Sequence, residues 1–569
     1  MKIGHALLCI LSVGLVASTA CAPQARSTEP AGAGVAPDQP GAPKVLTIGV
    51  QREHTPFVLS PGGSGPGGSV VGRGIAHGEL VVPTDGGNYQ PQLAVEQLSV
   101  ERGTWVINPD GSMDTTWRIH PNIKWHDGTP FTTADLVFSA KVQSDKNIPT
   151  RREPGVELMQ SVTAPDPHTL RIHWSATFVD ADRAAGMIPM AKHLLEESYL
   201  SNPEDLPNHP YFTTQFVGVG PYRMVKWELG SHVEYTRFDG YFQGRPPLDK
   251  VIVRFLGDKN TMIPNILAGE VELLVSTGVD LGAAAEIKRR WEGTGNQVRS
   301  DFSGGIEQFS LQHRLDYARP VNGVPNRLVR QALMYALDRQ AMTEVMTEGL
   351  APVAEAWFRP GQAIWPEVET VFPRYPYNTS RAQQLLTEAG WVRGPDGVLV
   401  GSNGERFEQS IWSQVSTMGG DRLINIVADY WKAVGVQPSI EIIPIGRQGD
   451  REFEGTLPGP RVSGANAENL YINRLNTRYI AGPANRWAEK NVGGYSNPRF
   501  DVLSDRLQTA IDPKERTAIH IELLKEGMTE VPNMLFYWQV VPTIMLKGLK
   551  THSIAPNLET WDFFYWDKE

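Results

Sequence analysis

The residue types that carry out most enzyme chemistry are present in this chain but are not spaced for it. The thirteen histidines are scattered, and none belongs to a His-Glu-x-x-His pattern that would hold zinc. There is no Gly-x-Ser-x-Gly nucleophile elbow and no Gly-Lys-Ser/Thr phosphate loop. Paired carboxylates such as Glu196 and Glu197 indicate a solvated face. We therefore predict no catalytic residue, no metal ligand and no cofactor.

Two short motifs are similar to functional sites, one to a dinucleotide-binding loop and one to an acid–base pair. A loop and a turn, respectively, explain them better. Residues 61–74 contain a Gly-x-Gly-x-x-Gly spacing, but Pro66 interrupts it, so we predict a flexible loop rather than a dinucleotide site. His126 and Asp127 would be an acid–base pair, yet neighbours in a tight Asp-Gly turn point apart, and no nucleophile is nearby. Neither motif supports an enzymatic function.

Aromatic side chains remain as candidates for recognition. Fifteen tryptophans are many for this length, and a large flat ring with one donor suits the wall of a wet cleft. We predict ligand contacts from Trp412, which ends a predicted strand, from Trp487, from Trp357 after a helix, and from Tyr495 after two glycines. Ordinary packing in the core is the alternative for each of them.

Size and charge narrow the class of protein. The chain has 569 residues, which is too long for one core, so two or three domains are expected. The hydrophobic fraction of 41% and charged fraction of 20% are ordinary for a globular protein. The net charge of −10 argues against nucleic acid or an anionic membrane surface as a partner.

The N-terminus has the features of a bacterial lipoprotein. The two cysteines are Cys9 and Cys21, and an apolar run from Ala6 to Ala20 has the length of a signal-peptide core. Small residues precede Cys21, as in a lipobox, although Ser18 stands where Leu or Val is usual. We predict that residues 1–21 are a signal peptide whose Cys21 becomes acylated, with plain cleavage as the alternative.

A linker follows the signal peptide. Residues 22–44 are rich in Ala, Pro and Gly and have almost no large apolar side chain, so they cannot bury enough surface to fold. As a flexible coil this linker would span roughly 25–30 Å. No later stretch is long and apolar enough to form a second anchor.

Four motif blocks mark the first half of the chain. Residues 117–135 predict a strand, an Asp-Gly turn and a helix that starts at Thr132, in the pattern W-x-D-G-x-P-F-T-x-A-D. Residues 188–193 have the sequence IPMAKH and residues 218–222 the sequence GVGPY, a close-packed turn into a strand. The fourth block is EYTRFDGYFQG at residues 234–244.

The second half alternates between helices and strands. Asn326 is the predicted N-cap of the helix that carries VRQALMYALDR. A helix at 421–434 lies between strands at 407–412 and 436–443, which predicts a βαβ unit with a parallel, right-handed crossover. Residues 491–498 have the sequence NVGGYSNP and lead into another helix.

These blocks, in this order, resemble the family 5 extracellular solute-binding proteins of ABC importers, the oligopeptide-, dipeptide- and nickel-binding type. The resemblance covers residues from about 45 to 550. It implies an α/β, two-lobe fold of the periplasmic-binding-protein kind (type II, large cluster), with an extra subdomain in lobe I and hinges near residues 300–310 and 530–540. The implied division is lobe I at 45–305, completed by about 535–569, with the extra subdomain at about 85–210, and lobe II at 306–534.

The resemblance also implies a function. Such proteins capture a solute between their lobes and hand it to a membrane permease without changing it. We therefore expect a monomeric, lipid-anchored protein that faces the periplasm or the cell exterior, with ABC permease subunits as partners, oligopeptides as ligands and no nucleic acid partner. A sensory receptor on the same scaffold is an alternative.

The ligand class stays open because one segment of this sequence departs from the pattern of the family. The Asp block that contacts a peptide amine in the family is not recognisable in residues 448–490, and Glu452, Glu454 or Glu468 are candidates to replace it. An oligosaccharide is the alternative ligand, because tryptophans are plentiful. Nickel is the weaker alternative, because the sequence has no histidine cluster.

Overall fold

The computed structural model describes residues 42–53, 57–58, 68–84, 89–149, 155–183, 187–275, 279–414, 419–466, 472, 474–551 and 562–569, with the backbone alone at 68–70 and 465–466. The strands in these residues are β1 Val45–Val50, β2 Val81–Pro83, β3 Tyr89–Pro91, β4 Trp105–Ile107, β5 Met113–Arg118, β6 Met159–Asp166, β7 Thr169–Trp174, β8 Tyr222–Glu228, β9 His232–Arg237, β10 Lys250–Phe255, β11 Leu273–Leu274, β12 Gln297–Ser310, β13 Trp391–Arg393, β14 Leu399–Gly401, β15 Glu408–Gln414, β16 Gln437–Ile443, β17 Arg461–Asn466, β18 Asn533–Met545, β19 Leu549–Lys550 and β20 Asp567–Lys568.

The α-helices in the same residues are α1 Gly68–Ala76, α2 Thr133–Ser144, α3 Lys192–Ser201, α4 Lys259–Ala268, α5 Leu281–Arg290, α6 Arg327–Tyr335, α7 Arg339–Thr347, α8 Trp365–Val368, α9 Thr379–Glu388, α10 Gly420–Ala433, α11 Arg451–Gly455, α12 Pro498–Leu507 and α13 Pro513–Glu530. Short 3₁₀ helices occur at Val156–Leu158, Val179–Arg183, Pro203–Asn208, Pro210–Phe212, Ile445–Arg447, Thr477–Tyr479, Pro483–Asn485 and Phe563–Tyr565. Among the described helices, none combines the length and the apolar character needed to cross a membrane.

Ten strands form one mixed sheet, in the order β16-β15-β17-β12-β18-β11-β1-β10-β9-β8. At one end, β1 pairs in parallel with β10 and β11. At the other end, β15 pairs in parallel with β16 and β17. The mixture of parallel and antiparallel pairs with flanking helices is an α/β fold, as predicted.

Two long strands, β12 and β18, join the two ends of this sheet. They pair antiparallel with each other, while β18 also pairs with β11 and β12 with β17. The register of the pair shifts between Phe302 and Ile306. The strands β1 and β8–β11 pack on one core that includes Leu46 and Ile48, and β15 and β17 pack on another that includes Ile411 and Val462. We call these two halves lobe I and lobe II.

A second sheet belongs to the first half of the chain. Its four antiparallel strands have the order β4-β5-β7-β6, and Trp117 and Trp174 are buried on it. Helix α2 follows the predicted turn, and the Asp135 carboxylate accepts a hydrogen bond of 2.9 Å from the backbone N–H of Thr132. The predicted capping interaction at this helix start is confirmed.

Lobe II contains the predicted βαβ unit. Strands β15 and β16 are parallel, and α10 between them buries Leu423, Val427 and Trp431. The Asn326 side chain accepts a hydrogen bond of 3.0 Å from Leu328 N–H at the start of α6. Both elements are confirmed because an apolar stripe at helical spacing and a capping side chain are local signals.

The prediction of a flexible loop over residues 61–74 is wrong for its second half. Helix α1 begins at Gly68, and its residues Val71 and Ile75 are fully buried in the core of lobe I. An apolar pair four residues apart lies on one helical face, and burying that face outweighs the low helix propensity of the glycines. Residues 61–67 lie outside the described residues.

The His126 side chain connects its turn to the glycine turn at residues 218–222 by hydrogen bonds. His126 Nδ1 accepts a hydrogen bond of 3.1 Å from Gly218 N–H, so Nε2 carries the proton and donates to Gly220 O at 3.0 Å. Burial lowers the pKa of His126 to about 4, so the ring is neutral at pH 7. The motif around His126 and the glycine turn at 218–222 therefore hold each other, and no acid–base chemistry follows.

Gly220 cannot carry a side chain in this glycine turn. A Cβ there would lie 2.4 Å from the carbonyl carbon of Ala76 and from His77 N, both backbone atoms at the end of α1. We expect Gly220→Ala to lower the free energy of unfolding by about 3 kcal/mol, measured by urea denaturation. Gly446→Ala is the control, because nothing lies within 4 Å of a Cβ at that position. Equal stabilities of the two variants would contradict this packing.

Candidate functional site

A cavity of about 200 Å³ lies in lobe II where β12 ends and β17 and β18 begin. The sheet forms one wall, through Gln308 and Ser310 of β12 and Arg461 and Ser463 of β17. The segment 474–495 forms the other wall. This segment overlaps the part of the sequence that departs from the family pattern.

The alternation of β12 and β17 makes the cavity wall polar. Phe309 and Val462 point to the opposite face and are buried in the lobe II core. On the cavity face, the hydroxyl oxygens of Ser310 and Ser463 are hydrogen-bonded at 3.0 Å. Side chains on a strand point alternately to opposite faces, so the same two strands supply both the core and the cavity.

Arg461 is neutralised within the protein. Its guanidinium donates to a Glu454 oxygen at 2.9 Å. The other oxygen of Glu454 accepts from Gln414 Nε2 and from Gly449 N–H, each at 3.1 Å. Burial lowers the pKa of Arg461, and the Glu454 carboxylate opposes that shift. The pair fixes Arg461 in place and leaves it little charge to offer a ligand.

Asn491 holds the second wall together. It is 4% exposed, and its Nδ2 donates to the carbonyl oxygens of Leu475 at 3.1 Å and Tyr495 at 2.8 Å. Its Oδ1 accepts from Tyr495 N–H at 3.0 Å. A Cβ on Gly493 would lie 1.9 Å from Leu311 O, so only glycine lets this wall approach the end of β12. The first asparagine and first glycine of the NVGGYSNP block are thus required by geometry.

His313 contributes no charge to the cavity. Its Nε2 donates to Pro532 O at 2.8 Å. Burial lowers its pKa to about 3, with further lowering by the positive charges of Arg330 and Arg314. The ring is therefore neutral at pH 7, and its hydrogen bond connects the segment that follows β12 to the residue that precedes β18.

The cavity carries excess positive charge. Arg474 is half-buried and Lys490 is exposed, and neither makes a hydrogen bond or ion pair with a described residue. No acidic side chain is found among the described residues that line the cavity. Such an arrangement can bind a negatively charged group.

The structure places one of the four predicted aromatic residues at this cavity. Tyr495 lines it and packs edge-on against His313, with ring centroids 5.2 Å apart. Trp412 is half-buried on β15, where its Nε1 donates to Ser410 Oγ at 3.0 Å. Trp357 is fully buried. Their roles as ligand contacts stay predictions.

Trp487 lies behind the cavity wall. It is 6% exposed and packs on Gly455, where a Cβ would meet its ring at 2.5 Å. The Arg314 guanidinium lies 5.2 Å from its ring centroid and donates to Val492 O at 2.6 Å and to Ala481 O at 2.7 Å. Trp487 thus supports the segment that forms the wall. The predicted lipidation site, Cys21, lies outside the described residues.

The three candidates to replace the amine-binding Asp have different surroundings. Glu454 is occupied by Arg461. Glu452 is exposed on α11, and Glu468 lies outside the described residues. Sequence reasoning missed Arg461, Arg474 and Lys490, which are three of the six basic residues in the divergent segment 448–490. Within the described ranges, no group of three His, Cys, Asp or Glu residues is arranged to hold a metal ion.

The described residues form two lobes on one shared sheet, and comparison with known proteins gives the family of the chain. The model of the family described as "Bacterial extracellular solute-binding proteins, family 5 Middle" matches residues 88–469, more than half of the chain. The chain belongs to this family, and the predicted resemblance and two-lobe fold class are confirmed.

Individual proteins show the same relationship. The oligopeptide-binding protein AppA of Bacillus subtilis is 24% identical over 468 residues, which cover 80% of this chain and 81% of AppA. Heme-binding protein A of Haemophilus influenzae is 26% identical over 447 residues, covering 73% of this chain and 74% of that protein. The structure of HbpA2 from Haemophilus parasuis matches with a TM-score of 0.73 at 19% identity, covering 92% of this chain and all of HbpA2.

Proposed function

We propose that this chain is the substrate-binding lipoprotein of an ABC importer, which captures oligopeptides between its lobes and delivers them to a membrane permease. The observation that carries the proposal is the similarity to AppA, a protein named for oligopeptide binding, across 80% of the chain. The polar wall built from β12, β17 and the 474–495 segment supports it, because peptides present many backbone donors and acceptors. The solute would leave chemically unchanged.

The proposal assigns a mechanical role to β12 and β18. Lobe I would comprise residues 45–305, completed by about 535–569, and lobe II residues 306–534, so that both divisions fall within these two strands. Their register shift between Phe302 and Ile306 supports a bend there. A ligand that contacts both lobes would stabilise the closed form by the contacts that the open form lacks.

The remaining parts of the proposal concern the cell envelope. Acylated Cys21 would anchor the protein in a bilayer, and residues 22–44 would separate the lobes from its surface by roughly 25–30 Å. The protein would act as a monomer that faces the periplasm or the cell exterior. Mass spectrometry of the membrane-bound protein tests the anchor, since a diacylglyceryl-modified Cys21 peptide is expected and an unmodified N-terminus would contradict it.

Peptide binding is tested with matched ligand panels. We expect a mixture of random tetrapeptides to raise the thermal unfolding midpoint of the purified protein, because a ligand that binds only the folded state stabilises it. Maltotetraose is the control for an oligosaccharide site, and we expect no shift from it. A shift with the sugar and none with any peptide would overturn the peptide assignment. Mass spectrometry of the recovered peptide should show an unaltered mass.

A further inference from the structure

We propose that the lobe II cavity is a carboxylate subsite, in which Arg474 and Lys490 bind an acidic end or side chain of the solute. The assignment rests on the proposed function for the identity of the whole ligand, but its chemistry follows from the cavity alone. In the family pattern an acidic residue contacts the amine of the ligand. In this cavity two basic residues would contact a carboxylate of the ligand instead.

The first support for a carboxylate subsite is the excess of positive charge among the side chains that line the cavity. Three cations line it, and Glu454 neutralises only Arg461. Arg474 and Lys490 have no ion-pair partner in the described part of the chain. A guanidinium has five N–H donors and an ammonium has three, and donors without partners in a recess attract an oxyanion.

The backbone next to the two cations is held by a shared residue, Asn491. Asn491 Nδ2 donates to Leu475 O at 3.1 Å and to Asn476 O at 3.3 Å, directly after Arg474. Lys490 precedes Asn491 itself. One buried amide therefore holds the backbone next to both cations, so both side chains that line the cavity extend from backbone that is anchored to the same residue.

The size of the cavity indicates that it holds only a part of the solute. Pockets that enclose a whole small-molecule ligand are typically about 300–1,000 Å³. This cavity is about 200 Å³, so it accommodates one part of a larger solute. Ser310 and Ser463 on the facing wall use one hydroxyl hydrogen in their mutual hydrogen bond, which leaves the other hydroxyl hydrogen as a donor that a carboxylate can accept.

The cavity can be tested without knowing the natural ligand. We expect glutarate to bind the wild-type protein in calorimetric titrations at low, constant ionic strength, and the neutral glutaramide not to bind. In the double variant Arg474→Gln, Lys490→Met the affinity for glutarate should fall at least about tenfold, the loss expected for a charge-assisted contact. The control Arg422→Gln, Lys432→Met removes the same charges from exposed positions on α10 and should bind as the wild type does.

Acetylated peptides then identify the source of the carboxylate. N-acetyl-trialanine carries only a C-terminal carboxylate, N-acetyl-Ala-Glu-Ala-amide carries only a side-chain carboxylate, and N-acetyl-trialanine amide carries none. Binding by either acidic peptide that the double variant loses supports the subsite and names its source. Equal binding of the neutral amide, or equal glutarate affinity in wild type and double variant, overturns it.

The two proposals fail separately. Variant-sensitive glutarate binding without binding of any peptide would remove the peptide function and keep the subsite. Peptide binding that neither amidation nor the double variant weakens would keep the function and remove the subsite. Absence of glutarate binding to the wild type would also overturn the subsite.

Discussion

Replacing Trp357 with alanine should lower the free energy of unfolding by about 3–5 kcal/mol and leave the ligand affinity of the folded protein unchanged. Trp357 is fully buried among residues of β18, α12 and α13. A Cβ on Gly527 would lie 2.0 Å from its ring, and Phe500 packs edge-on with ring centroids 6.0 Å apart. The indole therefore fills space that no neighbour can occupy when it is removed.

Urea denaturation measures the loss, and peptide titration of the folded protein measures affinity. Tyr377→Ala is the control, because Tyr377 is an aromatic residue of lobe II that is 49% exposed. Its replacement should lower the free energy of unfolding much less than that of Trp357. A small loss of stability with a large loss of affinity would contradict the packing role of Trp357. That outcome would instead establish Trp357 as the ligand contact that its residue type suggested.

Replacing Glu307 with glutamine should stabilise the protein above pH 7 by about 3 kcal/mol and have little effect near pH 4. Glu307 is 8% exposed on β12, and the contact that its carboxylate makes is with Gln539 Nε2 of β18 at 2.8 Å. No cation in the described residues forms an ion pair with it. Burial raises its pKa from 4.5 to about 7.

The sign of this effect follows from proton binding. Between pH 4.5 and about 7 the folded protein holds a proton on Glu307 that the unfolded chain has released. Stability therefore falls as pH rises through this window, and the full cost is present above pH 7. Glutamine stays neutral and keeps a hydrogen-bonding partner for Gln539, so it avoids the cost.

Urea denaturation from pH 4 to pH 8, on wild type and Glu307→Gln in parallel, checks this prediction. Neutral buried histidines such as His126 and His313 act in the opposite direction, since charging them destabilises the fold as pH falls below 6.5. They are shared by both proteins and cancel in the difference. A difference in stability that does not change with pH would contradict the raised pKa of Glu307.

Local signals made much of the fold predictable. The helix after Asn326 and the cap at Thr132 each depend on a few neighbouring residues, and the paired strand residues of the β15-α10-β16 unit lie 29 positions apart, as in Glu408 and Gln437. The helix at Gly68 was missed because its glycines suggest a loop, and only the fully buried surroundings of Val71 show why a helix forms there.

The candidate site was less accessible to sequence reasoning. The cavity joins the end of β12, the start of β17 and the segment 474–495, and residues such as Ser310 and Ser463 meet only through pairing of distant strands. Tyr495 belongs to an ordered motif and lines the cavity, and its role as a ligand contact stays a prediction. Residue type and a position after a helix suggested Trp357, and neither reveals whether a large ring faces solvent or a core.

Small-angle X-ray scattering of the purified protein, with and without a saturating tetrapeptide mixture, tests the central claim most directly. We expect a smaller radius of gyration when peptide is bound, because the lobes joined by β12 and β18 would close on it. Calorimetry on the same samples establishes that the peptide is bound. Identical scattering curves for the empty and the saturated protein would contradict capture between moving lobes.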